Sequence, residues 1–156
     1  MTKTITKKDI EQAQQKWGGS LVQIGKTFSG NKDYKKEAEI HVSKFYGYRE
    51  KTVLFKPTKA SKNQFRLTTE SAVSYFVGGN PEFSEDHGFA LQPWTSVRFE
   101  NAGFIFSKQF SVAMGNYFFT DADGNETKVE YTFGYYRAED GTLKINLHHS
   151  SLPFKN

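Results

Sequence analysis

The sequence predicts an α+β domain in which three helices cover one face of a curved, mostly antiparallel sheet. Three observations carry that expectation. Helical spacing of apolar residues is confined to the first half of the chain, strand-like alternation takes over at Trp94, and Asp-Gly dipeptides separate the last three runs.

The first helix starts at Thr6, which with Asp9 three residues later resembles a capping box with a shortened acid. Ile10, Ala13, Trp17, Leu21, Ile24 and Phe28 then form one stripe, ended by Gly30 and Asn31. Gly18 and Gly19 interrupt it at a cost of about 1 kcal/mol each relative to Ala, so either the helix bends there or something packs against its backbone. Asp33 caps a second helix with Tyr34, Ala38, Val42, Phe45 and Tyr46 at helical spacing, stopped by Gly47.

Thr52 to Phe55 is a brief β-branched and aromatic run ended by Pro57. Thr69, Glu70 and Ser71 open a short third helix that continues through Ala72, Val73, Tyr75 and Phe76 and closes at Gly78 and Gly79. Asn80 to Pro93 has little periodicity and reads as a loop placed to serve as a lid. Four strands follow, over Ser96 to Phe106, Gln109 to Thr120, Lys128 to Arg137 and Thr142 to Leu152. Asp123-Gly124 and Asp140-Gly141 supply the positive φ that tight hairpins require.

Composition narrows the chemistry. At 156 residues the chain suits a single domain over 1–156, and its 15 Phe, 8 Tyr and 2 Trp require a core or cavity walled by large rings. The absence of cysteine excludes disulfides, thiolate catalysis and any Cys-containing zinc site. The 4 histidines include neither His-x-His nor His-Glu-x-x-His, so no metal site is expected. A net charge of +4 is spread over Lys3, Lys7, Lys8, Lys32, Lys35, Lys36, Lys56, Lys59 and Lys62 among acids and hydroxyls, which reads as solvated faces and not as a nucleic-acid stripe. The N-terminal sequence lacks a signal-peptide apolar stretch and no window approaches the ~20 apolar residues of a membrane span, so a cytoplasmic chain without membrane contact is expected.

Several motifs fail on inspection. Gly25-Lys26-Thr27 copies the end of a phosphate loop, but Gly19 is one residue too far upstream and the segment lies in a helix. The run Asp121-x-Asp123-Gly124-Asn125-Glu126 has its glycine at the fourth position, where a calcium loop needs it at the sixth, and is a hairpin turn. Asn125-x-Thr127 fits a glycosylation acceptor, which carries no weight without a secretory signal. There is no Gly-x-Ser-x-Gly elbow.

His148-His149-Ser150-Ser151 is the densest polar cluster. On a strand, His148 pairs with Ser150 on one face and His149 with Ser151 on the other, so the two histidines are not a chelating pair. The plain reading is two half-buried histidines bonded to backbone. Alternation groups Leu143, Ile145 and Leu147 with His149, and hydrophobicity alone leaves open which histidine lines a cavity.

The order of helices and strands, ending in Ile145-Asn146-Leu147-His148-His149-Ser150-Ser151-Leu152-Pro153, resembles the cone-shaped α+β barrel of the nuclear-transport-factor-two-like superfamily, near its polyketide-cyclase-like and kinase-association-domain branches. Phe55-Lys56-Pro57-Thr58-Lys59-Ala60, Ser74-Tyr75-Phe76-Val77-Gly78-Gly79-Asn80, Thr132-Phe133-Gly134-Tyr135-Tyr136 and the His-Ser segment together resemble the single-domain iota-class carbonic anhydrases. That resemblance implies reversible hydration of carbon dioxide without a metal or other cofactor. It also implies a bicarbonate pocket of Thr58, Tyr75 and Ser150, with His148 as proton acceptor. Ser150 is preferred to Ser151 because of its i, i+2 pairing with His148. Two other readings stand beside it: a non-catalytic small-ligand-binding or oligomerisation module, and a cyclase or isomerase with a cavity of several hundred Å3 and a deep Asp or His base. The aromatic sheet face further predicts a homodimer formed through the sheets.

Overall fold

The structure, a computed structural model, describes residues 3–156. Helix α1 (Lys7–Ser29) begins with the expected capping box: Asp9 N–H donates to Thr6 Oγ1 at 3.2 Å and Thr6 N–H to Asp9 Oδ2 at 3.0 Å. Gly18 is a place of close approach, because a Cβ there would sit 3.1 Å from Val97 Cβ, whereas Gly19 faces open space.

Helix α2 (Tyr34–Phe45) is capped by Asp33 and ends one residue before the stripe read from the sequence. Tyr46 is its extended C-cap, because the chain turns there to pair with the last strand: Tyr46 bridges Ile145, and Gly47 N–H donates to Ile145 O at 3.0 Å. Strand β1 (Leu54–Lys56) is displaced from the expected run because its pairing partners, Leu147, His148 and His149, define it. Helix α3 (Thr69–Val77) starts at a Thr68 cap and stops at Gly78, whose φ is 66°.

Strands β2 (Trp94–Phe106), β3 (Ser111–Asp121), β4 (Glu126–Arg137) and β5 (Leu143–Ser151) form the meander, and the sheet order is β1-β5-β4-β3-β2. Among the described strand pairs only β1–β5 is parallel. Gly124 and Gly141 take φ of 84° and 87° in the last two hairpins.

One irregularity reassigns a face. Tyr135 pairs with Ile145 and Gly134 with Leu147, which leaves Asn146 as an extra residue in β5. The bulge turns Ile145 onto the inner face with His148 and leaves Leu147 on the outer one. Simple alternation puts both on one face with His149 and leaves open whether that face is the inner one.

The segment 80–93 is a fixed wall with two single 3-10 turns, Pro81–Phe83 and Phe89–Leu91. Asp86 anchors it. Its carboxylate takes both Arg66 Nη1 and Nη2 at 2.7 Å and the Ser74 hydroxyl at 2.6 Å, and the Arg66 and Asp86 side chains are fully buried. Arg66 gives two further donors to Asn63 O (2.7 Å) and Ser71 O (2.9 Å), so the buried ions are paired and four of the five guanidinium N–H groups are bonded. Trp17, Phe55, Phe76, Tyr117, Phe119 and Phe133 form the middle of the core between helices and sheet.

Candidate active site

Strand β5 presents His148 and Ser150 to the interior, where they are 3% and 1% exposed, while His149 faces solvent. The parallel neighbour β1 lays Phe55 flat on the His148 ring, with centroids 4.5 Å apart and planes at 12°. The chain leaving β1 therefore passes the end of β5, and Thr58 Oγ1 lies 2.6 Å from Ser150 Oγ. Helix α3 contributes Tyr75, whose hydroxyl accepts from Lys59 N–H at 3.2 Å and lies within reach of Thr58. All four residues expected from the sequence thus meet in one place, at a cavity of about 10 Å3 that Trp17, Phe55, Pro57, Phe76, Phe89 and Tyr117 complete. Such a space holds about one water-sized sphere.

Three residues of this site were not foreseen. Trp17 Nε1 donates to Tyr46 Oη at 3.1 Å, and Tyr46 Oη is 2.9 Å from His148 Nδ1. Tyr117 Oη lies 3.1 Å from His148 Nε2 and 2.5 Å from Ser150 Oγ. The tyrosines sit on the core side of an element end and of β3 amid other aromatics. Nothing in their local sequence separates Tyr117 from Tyr131 or Tyr135.

Hydrogen-bond inventory favours one direction along this chain of groups. Indole N–H only donates, so Tyr46 accepts from Trp17 and has its own proton to give to His148 Nδ1. Complete burial holds His148 well below the ordinary imidazole range, with His149 and His41 nearby adding to the effect, so the ring is neutral. The assignment that satisfies every partner puts its hydrogen on Nε2, donated to Tyr117, which donates to Ser150, which donates to Thr58. Burial also raises the Tyr46, Tyr75 and Tyr117 hydroxyls above their ordinary value, so all three stay protonated donors at neutral pH. At least one hydroxyl hydrogen, from Thr58 or Tyr75, is left for whatever occupies the cavity.

Both ring nitrogens of His148 are bonded to tyrosine hydroxyls, and its Nε2 communicates with Ser150 through Tyr117. Among the described residues no group of three or more His, Cys, Asp or Glu is gathered to hold a metal ion, and no helix is long and apolar enough to cross a membrane.

A model of the metal-independent carbonic anhydrase family matches residues 8–152. A metal-independent carbonic anhydrase of Nostoc sp. is 39% identical over 158 residues, covering 99% of this chain and 77% of that protein. The crystal structure of a cyanobacterial iota-carbonic anhydrase complexed with bicarbonate superimposes with a TM-score of 0.96 at 38% identity, covering 100% of this chain and 97% of the other. A calcium/calmodulin-dependent kinase II association domain from Xanthomonas campestris (TM-score 0.64, 18% identity, 100% and 97% covered) shares the fold. So does a nuclear-transport-factor-two-like protein from Salmonella enterica (0.58, 10%, 96% and 92% covered).

Proposed function

The chain belongs to the metal-independent carbonic anhydrase family, and from that membership we propose that its reaction takes place among Thr58, Tyr75, Ser150 and His148. The reaction is the reversible hydration of carbon dioxide to bicarbonate, without a metal. What supports the site is the unbroken hydrogen-bond chain from Trp17 to Thr58, which ends at a cavity walled by rings and hydroxyls.

Carbon dioxide is small and apolar and fits such a wall once a lining side chain rotates, whereas a cyclase substrate requiring several hundred Å3 does not fit a cavity of about 10 Å3. Thr58 Oγ1 accepts from Ser150 with one lone pair and keeps the second for water. As the water oxygen bonds to carbon, its proton passes to Thr58 Oγ1 while a hydroxyl hydrogen of Thr58 or Tyr75 passes to a carbon dioxide oxygen. The product is carbonic acid, which ionises to bicarbonate on leaving; where Tyr75 gives the hydrogen, Thr58 hands Tyr75 the proton taken from water, so both hydroxyls end as they began. Ser150, held by Tyr117, keeps Thr58 oriented. His148 serves this step as a positioning residue acting through Tyr117, in place of the direct proton acceptance expected from the sequence. Preorganised donors at the developing charge supply the acceleration.

Soaking crystals in bicarbonate tests the assignment. The anion should accept hydrogen bonds from Thr58 and Tyr75 beside Ser150, in protein that retains full hydration activity after exhaustive chelation. An anion bound elsewhere would remove these residues from the site.

The same proposal covers assembly and location. Ile105, Val112, Leu147 and Leu54 occupy one outer row through the pairings Ile105–Val112, Val112–Gly134, Gly134–Leu147 and Leu147–Leu54, with the Phe110 ring seated over Gly134. Ile105 is 69% exposed and Leu54 54%. An apolar row that spans all five strands supports a homodimer through the sheets. Sedimentation should give twice 17.8 kDa, and Ile105→Lys should give the single-chain mass; a monomeric parent chain would refute the interface. Residues 1–156 are read as one nuclear-transport-factor-two-like domain, in keeping with the contiguous core among the described residues, and its proposed place of action is the cytoplasm.

A further inference from the structure

The loop that carries Thr58 is closed on an internal anion. Three consecutive amides, those of Ser61, Lys62 and Asn63, converge on the Glu85 carboxylate. Ser61 N–H donates to Oε1 at 2.7 Å, Asn63 N–H to Oε2 at 2.7 Å, and Lys62 N–H is shared between them at 3.2 and 3.0 Å; the Ser61 hydroxyl adds a contact at 3.3 Å. Successive amides that point inward make a concavity suited to an anion, and here the chain fills it with its own side chain. These amides hold the Glu85 carboxyl down to about 2, so the group is ionised at any pH at which the protein works.

The placement of this nest matters more than its strength. It lies three residues beyond Thr58 and two beyond Lys59, whose N–H donates to Tyr75. The next residue of the same wall, Asp86, grips Arg66, and Arg66 Nε in turn binds Asn63 O. Neighbouring carboxylates thus fasten both polar sides of the 61–66 segment, one taking its N–H groups and the other the arginine that takes its carbonyl. A side cavity of about 310 Å3, lined by Lys59, Tyr75, Glu85 and Asp86 among others, runs along this seam and shares Tyr75 and Phe89 with the small inner one.

We propose that Glu85 is a positioning residue for the hydration reaction: by filling the nest at Ser61–Asn63 it sets the loop so that Thr58 meets Ser150 and Lys59 N–H meets Tyr75. This rests on the assignment of Thr58 and Tyr75 made above. Nothing on the Glu85 side chain reaches the inner cavity, so its effect on the reaction is transmitted entirely by the loop.

Removing the anion while leaving the nest gives a direct test. Glu85→Ala should fold, as followed by far-UV circular dichroism, and lose about 10- to 100-fold in kcat with a smaller change in KM, the cost expected of a misplaced reacting group. Acetate, whose carboxylate fits the emptied nest, should restore kcat saturably in Glu85→Ala and should not raise that of the parent protein. Glu85→Gln, which keeps an acceptor oxygen, should lose less and show no response to acetate. Parent-level kcat in Glu85→Ala, or a loss that acetate leaves untouched in a folded protein, overturns the proposal. If Glu85→Ala does not fold, the proposal stands on Glu85→Gln, and parent-level kcat there overturns it. Thr58→Ala separates the two levels: full activity in that variant removes the site assignment itself, whereas its inactivity beside a fully active Glu85→Ala removes only the role of Glu85.

Discussion

Ser150→Ala is expected to lower kcat/KM for carbon dioxide hydration by about 10²-fold, the cost of letting a reacting group move from its place. The reason lies in its place between Tyr117 and Thr58. Loss of Oγ breaks contacts of 2.5 and 2.6 Å and leaves Thr58 free to turn from the cavity toward Tyr117, whose hydroxyl it also neighbours. The backbone pairing of Ser150 with Tyr131 does not depend on the hydroxyl, and the fold should survive. Ser151→Ala and His149→Ala, one strand position away on the other face, should keep parent activity. Stopped-flow hydration of carbon dioxide measures all three. Parent-level activity in Ser150→Ala, or an equal loss in Ser151→Ala, would remove the inner face of β5 from the reaction.

How much of this was legible in the sequence follows from the range over which each signal acts. Helix starts were readable because a cap is a three-residue affair, as at Thr6–Asp9 and Asp33. His148 and Ser150 could be put on one face because strand alternation is local, but the choice of the inner face depended on a bulge at Asn146 that no composition or turn residue announces. Thr58 and Tyr75 were assigned by resemblance. Their convergence is a consequence of the parallel β1–β5 pairing, which connects residues about ninety apart and leaves no periodic trace. Tyr117 was invisible for a related reason. It stands on β3, separated from β5 by β4, and meets Ser150 across an intervening strand, while Tyr131 and Tyr135 offer the same alternating aromatic signal. Tyr46 looked like one more apolar helical position. Its departure from the helix, set by pairing with Ile145, is what turns its hydroxyl toward His148.

Acidification from pH 7 to pH 5 is expected to cost about 2 kcal/mol of folding stability through His41 alone, with His148 acting in the same direction. Burial lowers His41 from 6.5 to about 3 and His148 well below 6.5, so in both cases the unfolded chain takes up a proton while the folded one does not. Stability is therefore complete above pH 6.5 and falls as pH drops through the window from 6.5 toward the folded values, by about 1.4 kcal/mol per pH unit for each histidine. Carboxylates with lowered values, Asp9, Glu85, Glu126 and Asp140, start from 3.8 or 4.5 when unfolded, so their contributions are lost at lower pH and leave the window from 6.5 to 5 to the histidines. Against a total of about 5–15 kcal/mol for a domain, a loss of this size is large. Denaturant titrations at pH 7, 6 and 5 should show the midpoint falling without a change in slope, and His41→Phe should flatten the trend by one histidine's share. A midpoint constant over that range would mean that the buried imidazoles take protons inside the fold. Activity supplies the complementary reading. A ring that stays neutral between Tyr46 and Tyr117 keeps its donor on Nε2, so kcat should hold constant from pH 7 down to the onset of unfolding. Protonation of His148 inside the fold would instead reverse its Nδ1 bond to Tyr46 and depress kcat while the protein is still fully folded.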